Sequence, residues 1–287
     1  MCDHGKFRAK VHAVKLQVHV PTCVQNTTLN YNYVVPRSLT DVCRQIVQTD
    51  RTNKLERDWR GPFYFAMGAD PQLGLWDAWS RGACSTSGTT WERELALTHE
   101  AVRALNLLRP RPRFLALCGD LVHDMPGQPK RNEQMQDLRD ALRNLDPAIP
   151  LVLVPGNHDL GNEPTTGSIE SYRQAWGDDY FSFWVGGVRF LVLNSQFFVS
   201  TKACRRESEE HNNWLGKELA ECTVLIILQH IPLFLSTPDE EDGYFNIPLD
   251  LRQQLIEKFQ QAGPFLSWMI LIRTKCFVST TSRRINL

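Results

Sequence analysis

Short apolar runs alternate with amphipathic segments along the middle of the chain. Apolar runs bounded by turn residues predict strands at 63–69, 114–118, 151–155, 180–185, 188–194 and 224–228. Apolar positions that recur every three or four residues predict helices at 91–108, 133–145, 169–176, 209–220 and 249–262. Strands that alternate with helices are typical of βαβ units, so the pattern predicts an α/β fold with a largely parallel sheet.

The two ends of the chain show weaker patterns. Within residues 1–58, a weak alternation over 14–20 favours a strand, and 38–56 favours a short polar helix. We expect residues 1–58 to be a divergent N-terminal extension that is poorly ordered or an add-on. A further strand is predicted at 265–272, inside a divergent C-terminal tail of residues 265–287 whose last fifteen residues carry no pattern.

Polar side chains follow four of the predicted strands at the point where each strand ends. They are Asp70, Asp120, Asn157 and His230. The carboxyl ends of parallel strands meet at one edge of a sheet, and two carboxylates, an amide oxygen and an imidazole suit divalent cations. Two adjacent carboxylates repel each other unless a cation lies between them, so the pattern predicts a metal site. Taken singly, Asp120 also suits a capping residue, and His230 a hydrogen-bonded core histidine.

The strand at 151–155 runs directly into Asn157, His158 and Asp159. An amide, an imidazole and a carboxylate in a row suit a metal ligand, a proton donor and a group that orients that donor. The alternative interpretation is a polar turn in which Asp159 is a capping residue.

Composition narrows the class of protein. The 287 residues include 32 Lys and Arg and 32 Asp and Glu, and this neutral balance argues against binding nucleic acid through bulk charge. None of the 8 cysteines forms a Cys-x-x-Cys pair, which removes support for zinc-finger and thioredoxin interpretations. No secretory signal opens the chain, and the longest apolar run, 265–272, is too short for a bilayer. We therefore expect a cytoplasmic protein that does not associate with membranes, and the sequence makes no prediction of its oligomeric state.

The strand-end residues stand in ordered motifs. Asp70-x-Gln72, Gly119-Asp120, Gly156-Asn157-His158-Asp159 and His230 resemble those of the calcineurin-like metallophosphoesterases. The resemblance covers residues 59–264, which we expect to form the phosphoesterase domain. It implies a four-layer α/β/β/α sandwich of two mixed sheets and two divalent cations, with Mn, Fe, Zn and Mg not distinguished.

The resemblance also assigns roles to individual residues. It implies that Asp70 binds the first metal, that Asp120 bridges both metals, and that Asn157 and His230 bind the second. It further implies that His158 lies beside the scissile group and that Asp159 orients the His158 ring.

Two departures from the family pattern bear on activity. Gln72 stands where many relatives carry a histidine ligand, and an amide oxygen is a weaker donor for transition metals. No histidine follows His230, so the Gly-His-x-His motif that supplies further ligands is absent, and we expect a C-terminally incomplete fold with an exposed sheet edge. His123 could substitute as a ligand, although an exposed loop histidine is the favoured interpretation.

These observations lead to competing functions. The first is a metal-dependent phosphomonoesterase that uses metal-activated water on phosphoserine or phosphothreonine of a phosphorylated protein substrate. The alternative is a weakened or inactive phosphatase-like form that binds phosphoproteins, and a phosphodiesterase or nuclease is disfavoured by the neutral charge. The acidic run at 239–242 is interpreted as a solvated face, the other option being repulsion of acidic phosphopeptides.

Overall fold

The computed structural model describes residues 12–16, 54–58, 61–220, 225–262, 265–269 and 277–280. Within these ranges the strands are β1 His12–Leu16, β2 Phe63–Gly68, β3 Leu115–Cys118, β4 Leu151–Val154, β5 Phe181–Val185, β6 Val188–Val192, β7 Leu225–Gln229, β8 Phe265–Met269 and β9 Phe277–Thr280. The α-helices are α1 Leu75–Ser80, α2 Glu92–Leu107, α3 Arg131–Leu142, α4 Asn157–Leu160, α5 Thr166–Trp176, α6 Arg205–Ala220 and α7 Leu249–Gln261. No helix among them is long and apolar enough to cross a membrane.

The strands form two mixed sheets. The first has the order β1-β2-β3-β4, in which β1 is antiparallel to β2 and the other pairs are parallel, with Ala116 opposite Val152. The second has the order β5-β6-β7-β8-β9, in which the central pairs are parallel and the outer two are antiparallel. The parallel pairing expected from the alternation of strands and helices is confirmed for β2-β3-β4 and β6-β7-β8, whereas β1, β5 and β9 are antiparallel to their neighbours.

Both faces of the central strands are buried, which explains why they read as continuous apolar runs. One face of β2, β3 and β4 packs against β5, β6 and β7 through aromatic residues such as Phe65, Phe114 and Phe190. The opposite face of the first sheet is covered by α2, α3 and α5, and that of the second sheet by α6 and α7. The fold is thus the four-layer α/β/β/α sandwich that the resemblance implies.

The strands and helices predicted within residues 59–264 are all present, with ends that differ by a few residues. Two short helices, α1 and α4, were not predicted, because each is too short to show a helical period. Outside that range, β1 overlaps the weak alternation and pairs with β2, and β9 lies in the stretch without a recognisable pattern. Most of the predicted helix at 38–56 lies outside the described residues, and residues Lys54–Arg57 form a 3-10 helix.

The described parts of the terminal segments pair with the two sheets. Besides β1, the backbone and side chain of Glu56 accept hydrogen bonds from the hairpin amides of Gly187 and Gly186, at 2.8 and 2.9 Å. At the other end, β8 pairs with β7, and β9 pairs with β8. Strand pairing thus extends beyond residues 59–264 on both sides, while the boundaries themselves remain a prediction.

Candidate metal centre

The predicted metal ligands lie where strands of both sheets end. Asp70 and Asp120 follow β2 and β3, Asn157 begins α4 directly after β4, and His230 follows β7 of the second sheet. Asp70, Gln72 and Asp120 have positive backbone φ angles of 52°, 39° and 50°. Non-glycine residues rarely adopt this conformation, and such strain concentrates at functional sites.

Two glycines allow the strand ends to approach each other closely. A Cβ atom on Gly119, whose φ is +85°, would lie 2.3 Å from Nδ1 of His230. A Cβ atom on Gly156 would lie 2.4 Å from both the amide nitrogen and Oδ1 of Asp120. The Gly-Asp and Gly-Asn pairs of the sequence therefore have a steric reason, because any side chain at either glycine would separate the candidate ligands.

Asp120 lies at the centre of the cluster and is almost fully buried. Its Oδ1 accepts a hydrogen bond from the amide of His158 at 2.8 Å and lies 3.4 Å from Nε2 of His230. Its Oδ2 accepts a weak hydrogen bond from Nε2 of Gln72 at 3.4 Å. These contacts leave part of each carboxylate oxygen free to bind a cation.

The tautomer of His230 is set by its surroundings. Nδ1 lies 2.9 Å from the carbonyl oxygen of Cys118, which can only accept a hydrogen bond, so Nδ1 carries a proton. In the neutral ring, Nε2 then directs its lone pair toward Oδ1 of Asn157 at 3.2 Å and Oδ1 of Asp120 at 3.4 Å. Three lone pairs that converge without a donor require a positive charge, supplied by a proton on Nε2 or by a metal ion.

The pKa values of His230 and Asp70 are shifted by their burial and by the charges close to them. Burial lowers the pKa of His230, but Asp120 and Asp70 outweigh it, and the pKa is raised. Burial also raises the pKa of Asp70 well above its ordinary value, and the charge of Asp120 raises it further. A bound divalent cation would remove this repulsion.

Asp70 and Gln72 complete the cluster on its other side. Oδ1 of Asp70 and Oε1 of Gln72 are buried and have no hydrogen-bond partner among the described residues. Ligand atoms of Asp70, Asp120 and His230 all lie within 4.8 Å of one another. Buried oxygen acceptors without donors are what a cation site presents, so the residues fit divalent metals.

His158 and Asp159 take different positions. The ring of His158 contacts the carbonyl oxygen of His123 through Nδ1, and its Nε2 lies 4.0 Å from Oδ2 of Asp120. Asp159 instead accepts hydrogen bonds from the amides of Gly156 at 2.8 Å and Leu121 at 3.1 Å. The carbonyl oxygen of His123 therefore orients the His158 ring, and Asp159 does not contact that ring through these hydrogen bonds. The contacts of Asp159 are those of a capping residue, which was the alternative interpretation of the sequence.

The metal-ligand cluster also affects the pKa of the buried carboxyl group of Asp159. Burial raises its pKa to about 6, and the charge of Asp120 adds to this effect. The hydrogen bond from the Gly156 amide acts in the opposite direction.

His123 is the first residue whose position the sequence did not predict. It is 2% exposed, its ring stacks on that of His158 with centroids 5.1 Å apart, and its Nε2 lies 3.0 Å from the carbonyl oxygen of Thr86. The expectation of an exposed loop histidine is therefore wrong. Burial lowers the pKa of His123, and the neighbouring His158 lowers it further, so the ring is neutral at pH 7.

Three further residues support the site without any signal in the sequence. Arg131 donates hydrogen bonds to the carbonyl oxygens of His158 and Asp159 at 2.9 and 2.8 Å, and so holds α4 in place. The hydroxyl of Tyr244 lies 3.0 Å from Nδ2 of Asn157, and Asn162 accepts a hydrogen bond from the same nitrogen at 3.1 Å. These contacts join residues that are distant in the chain, which no local pattern reveals.

The acidic run at 239–242 is only partly the solvated face that was expected. The carboxylate of Glu240 accepts hydrogen bonds from the amides of Leu235 and Ser236 at 2.6 and 2.7 Å, and from Nδ2 of Asn246 at 2.8 Å. Burial raises the pKa of Glu240, but these hydrogen bonds outweigh it and lower the pKa below its ordinary value. Glu240 therefore shapes the loop between β7 and α7.

Comparison with known proteins identifies relatives of this chain. A serine/threonine-protein phosphatase CPPED1 of Danio rerio is 54% identical over 217 residues, which cover 74% of this chain and 70% of that protein. The protein of the same name from Homo sapiens is 53% identical over 214 residues, or 72% of this chain and 68% of that protein. A purple acid phosphatase structure from yellow lupin is 15% identical and covers 70% of this chain and 40% of its own, with a TM-score of 0.43, too low to bear on function. The profile of the calcineurin-like phosphoesterases matches residues 93–260, and the chain belongs to that family.

Proposed function

We propose that the chain is a metal-dependent phosphomonoesterase that hydrolyses phosphoserine or phosphothreonine in proteins. Family membership supports phosphoester hydrolysis, and the name of the relatives supports phosphoproteins as substrates. The match over residues 93–260 supports 59–264 as the catalytic domain. A cytoplasmic location is part of the same proposal.

The observation that carries this proposal is the convergence of lone pairs at the strand ends. In this proposal, Asp70, Gln72 and Asp120 would hold one divalent cation, and Asp120, Asn157 and His230 would hold a second. The bound cations would neutralise phosphoryl oxygens and activate a water molecule at neutral pH, whether they are Mn, Fe, Zn or Mg.

His158 is proposed as the proton donor to the leaving oxygen. Its Nδ1 donates to the His123 carbonyl, which leaves Nε2 on the side of Asp120, where the phosphoryl group would lie. When protonated, Nε2 can donate to the leaving alkoxide of the serine or threonine. Asp159 acts indirectly, because its contacts with the amides of Gly156 and Leu121 fix the loop that carries His158.

Replacement of His158 tests the proposal. With Mn²⁺ present, we expect His158→Asn to lower hydrolysis of a chromogenic phosphate ester by about 10²- to 10⁴-fold, because general acid catalysis is lost. Binding of Mn²⁺, measured by calorimetry, should persist. The half-buried His99 of α2 gives a matched control, and His99→Asn should leave turnover unchanged. Wild-type protein that binds no Mn²⁺, or turnover unaffected by His158→Asn, would contradict the proposed chemistry.

The second candidate is a phosphoprotein-binding form without turnover. It is favoured by the sequence observation that residues 231–287 contain no histidine that could add an imidazole ligand to either cation. Under this alternative, the metal-loaded protein would bind a phosphoserine peptide and release no phosphate. Phosphate release from that peptide therefore separates the two candidates.

A further inference from the structure

A hydrogen-bonded network lies on the outer side of the Asn157 amide. Nδ2 of Asn157 lies 3.1 Å from Oδ1 of Asn162 and 3.0 Å from the hydroxyl of Tyr244. The Tyr244 hydroxyl in turn donates to Oδ1 of Asn162 at 3.2 Å. The three groups close a triangle in which every hydrogen bond runs from a donor to an acceptor.

The inner side of the same amide faces the metal cluster. Its Oδ1 lies 3.2 Å from Nε2 of His230, whose lone pair points toward it. Rotation of the amide by half a turn would place Nδ2 there instead. When His230 is neutral, the rotated amide would donate a hydrogen bond to its Nε2, so in that state the cluster by itself favours the orientation that cannot bind a cation.

The outer network opposes that rotation. In the rotated amide, the oxygen of Asn157 would face Oδ1 of Asn162, and two acceptors would meet without a donor. The Tyr244 hydroxyl would also have to give up the hydrogen bond it donates to Asn162. Tyr244 and Asn162 together therefore select the orientation with the oxygen inward.

Packing does not explain this arrangement. Tyr244 is 62% exposed and Asn162 is also exposed, so neither residue contributes a core side chain. The ring of Tyr244 contacts Phe245 with centroids 5.0 Å apart, and the hydroxyl alone reaches the site. The loop between β7 and α7, ordered by Glu240 and Asn246, brings that hydroxyl to Asn157.

We propose that Tyr244 and Asn162 are positioning residues that hold the Asn157 amide with its oxygen toward His230 and Asp120, where it binds a divalent cation. This inference rests on the proposed function. In this inference, two surface residues set the orientation of Asn157, a metal ligand of the buried cluster.

Four single variants and the double variant of Tyr244→Phe with Asn162→Leu test it. Tyr244→Phe removes the hydroxyl and keeps the ring, and Asn162→Leu removes the shared acceptor at an exposed position. Asn162→Asp keeps an acceptor for both donors and serves as the conservative replacement. Tyr180→Phe removes one hydroxyl from a tyrosine that packs against His211 and Trp214, away from this network, and is the matched control.

The main measurement is calorimetric titration of each metal-free protein with Mn²⁺. We expect Tyr244→Phe and Asn162→Leu each to weaken one Mn²⁺ site by about 10- to 100-fold, the usual effect of losing a group that orients a ligand. Asn162→Asp and Tyr180→Phe should bind like the wild type. The double variant should be little worse than either single variant, because both act on one amide. Thermal unfolding of the metal-free proteins should show equal stability.

The outcomes separate this inference from the proposed function. Wild-type protein that binds Mn²⁺ and hydrolyses a phosphate ester, with Tyr244→Phe and Asn162→Leu binding Mn²⁺ equally well, would overturn the positioning role and leave the phosphatase intact. Wild-type protein without Mn²⁺ binding would overturn both. Weakened binding by Asn162→Asp equal to that of Asn162→Leu would also overturn the positioning role, since an acceptor is retained there.

Discussion

At the scale of single residues, the cluster depends on positions where no side chain fits. Gly119 and Gly127 have nearly the same backbone φ angle, +85° and +87°. A Cβ atom on Gly127 would meet nothing within 4 Å, whereas one on Gly119 would collide with the ring of His230. A comparison of substitutions at these two glycines therefore distinguishes the cost of backbone strain from the cost of a steric clash.

Replacement of these two glycines by alanine should give unequal results. Both variants carry the cost of a left-handed non-glycine residue, about 1–2 kcal/mol. We expect Gly119→Ala to lower the free energy of unfolding by about 1–3 kcal/mol more than Gly127→Ala, because its Cβ atom forces the His230 ring to move. Urea denaturation measures the difference, and Gly119→Ala alone should also weaken Mn²⁺ binding. Equal destabilisation would show that the contact with His230 relaxes without cost.

A second residue-scale prediction concerns His211 on α6. Its ring is fully buried among Tyr180, Phe197, Phe198 and Trp214, and neither ring nitrogen has a hydrogen-bond partner among the described residues. Burial lowers the pKa of His211 from 6.5 to about 3. Below pH 6.5 the unfolded chain therefore gains a proton that the folded protein does not bind, and stability falls as the pH falls toward 3.

Replacement of His211 by phenylalanine should flatten this pH dependence. Between pH 6 and pH 5, we expect the wild type to lose about 1 kcal/mol more unfolding free energy than His211→Phe, the approximate limit for one group per pH unit. Chemical denaturation at the two pH values measures it. His99→Gln, at a half-buried position on α2, should keep the wild-type slope. If the unfolding free energies of wild type and His211→Phe changed equally with pH, the His211 ring would bind a proton in the folded protein as it does in the unfolded chain, and this prediction would be wrong.

At the scale of elements, α3 anchors the short helix α4 that carries Asn157 and His158. Arg131, at the start of α3, donates hydrogen bonds to the carbonyl oxygens of Asp124, His158 and Asp159 at 2.7, 2.9 and 2.8 Å. A helix of one turn has too few internal hydrogen bonds to be stable alone. The guanidinium of Arg131 therefore replaces the hydrogen bonds that a longer helix would make.

Replacement of Arg131 by lysine should loosen α4 although the charge is retained. An ammonium group cannot reach three carbonyl oxygens in the same planar arrangement. We expect Arg131→Lys to lower the free energy of unfolding by about 2 kcal/mol and to lower turnover. Arg143→Lys, at the exposed end of the same helix, should change neither. Unchanged turnover in a destabilised Arg131→Lys protein would show that α4 keeps its position without Arg131.

At the scale of the whole molecule, the cluster joins the two sheets. Asp70, Asp120 and Asn157 follow strands of the first sheet, and His230 follows a strand of the second. Without a cation, the carboxylates of Asp70 and Asp120 lie close together at this junction, and the pKa of Asp70 is raised by burial and by Asp120. Stability of the metal-free protein therefore falls as the pH rises above the ordinary aspartate value of 3.8.

Removal of the Asp70 charge should stabilise the metal-free fold and reduce the further stabilisation that bound metal gives. At neutral pH, we expect metal-free Asp70→Asn to melt at a higher temperature than metal-free wild type. Mn²⁺ at 100 times its dissociation constant should stabilise the wild type by about 2.7 kcal/mol per site and Asp70→Asn much less. Differential scanning calorimetry measures both effects, and the exposed Asp178→Asn is the control. A wild type that melts at one temperature with and without Mn²⁺ would contradict this junction role.

The layered fold was predicted only in part from the hydrophobic pattern. Apolar runs located the strands from β2 to β7, because strands buried on both faces must be apolar throughout. The same property concealed the division into two sheets, since a strand with two apolar faces does not indicate which neighbour covers each face. The short helix α4 and β9 were missed because they are held by contacts such as those of Arg131 and by pairing with β8.

The sequence by itself determined which side chains stand at the strand ends, because each polar residue directly follows the apolar run that positions it. Only the tertiary structure decided which residues orient them: the His123 carbonyl for His158, and Tyr244 with Asn162 for Asn157. It also decided that Asp159 holds backbone amides of the loop after β4. The physical reason is that a hydrogen bond depends on the distance and angle between two atoms. For atoms in distant segments of the chain, that distance and angle are set only once the chain has folded.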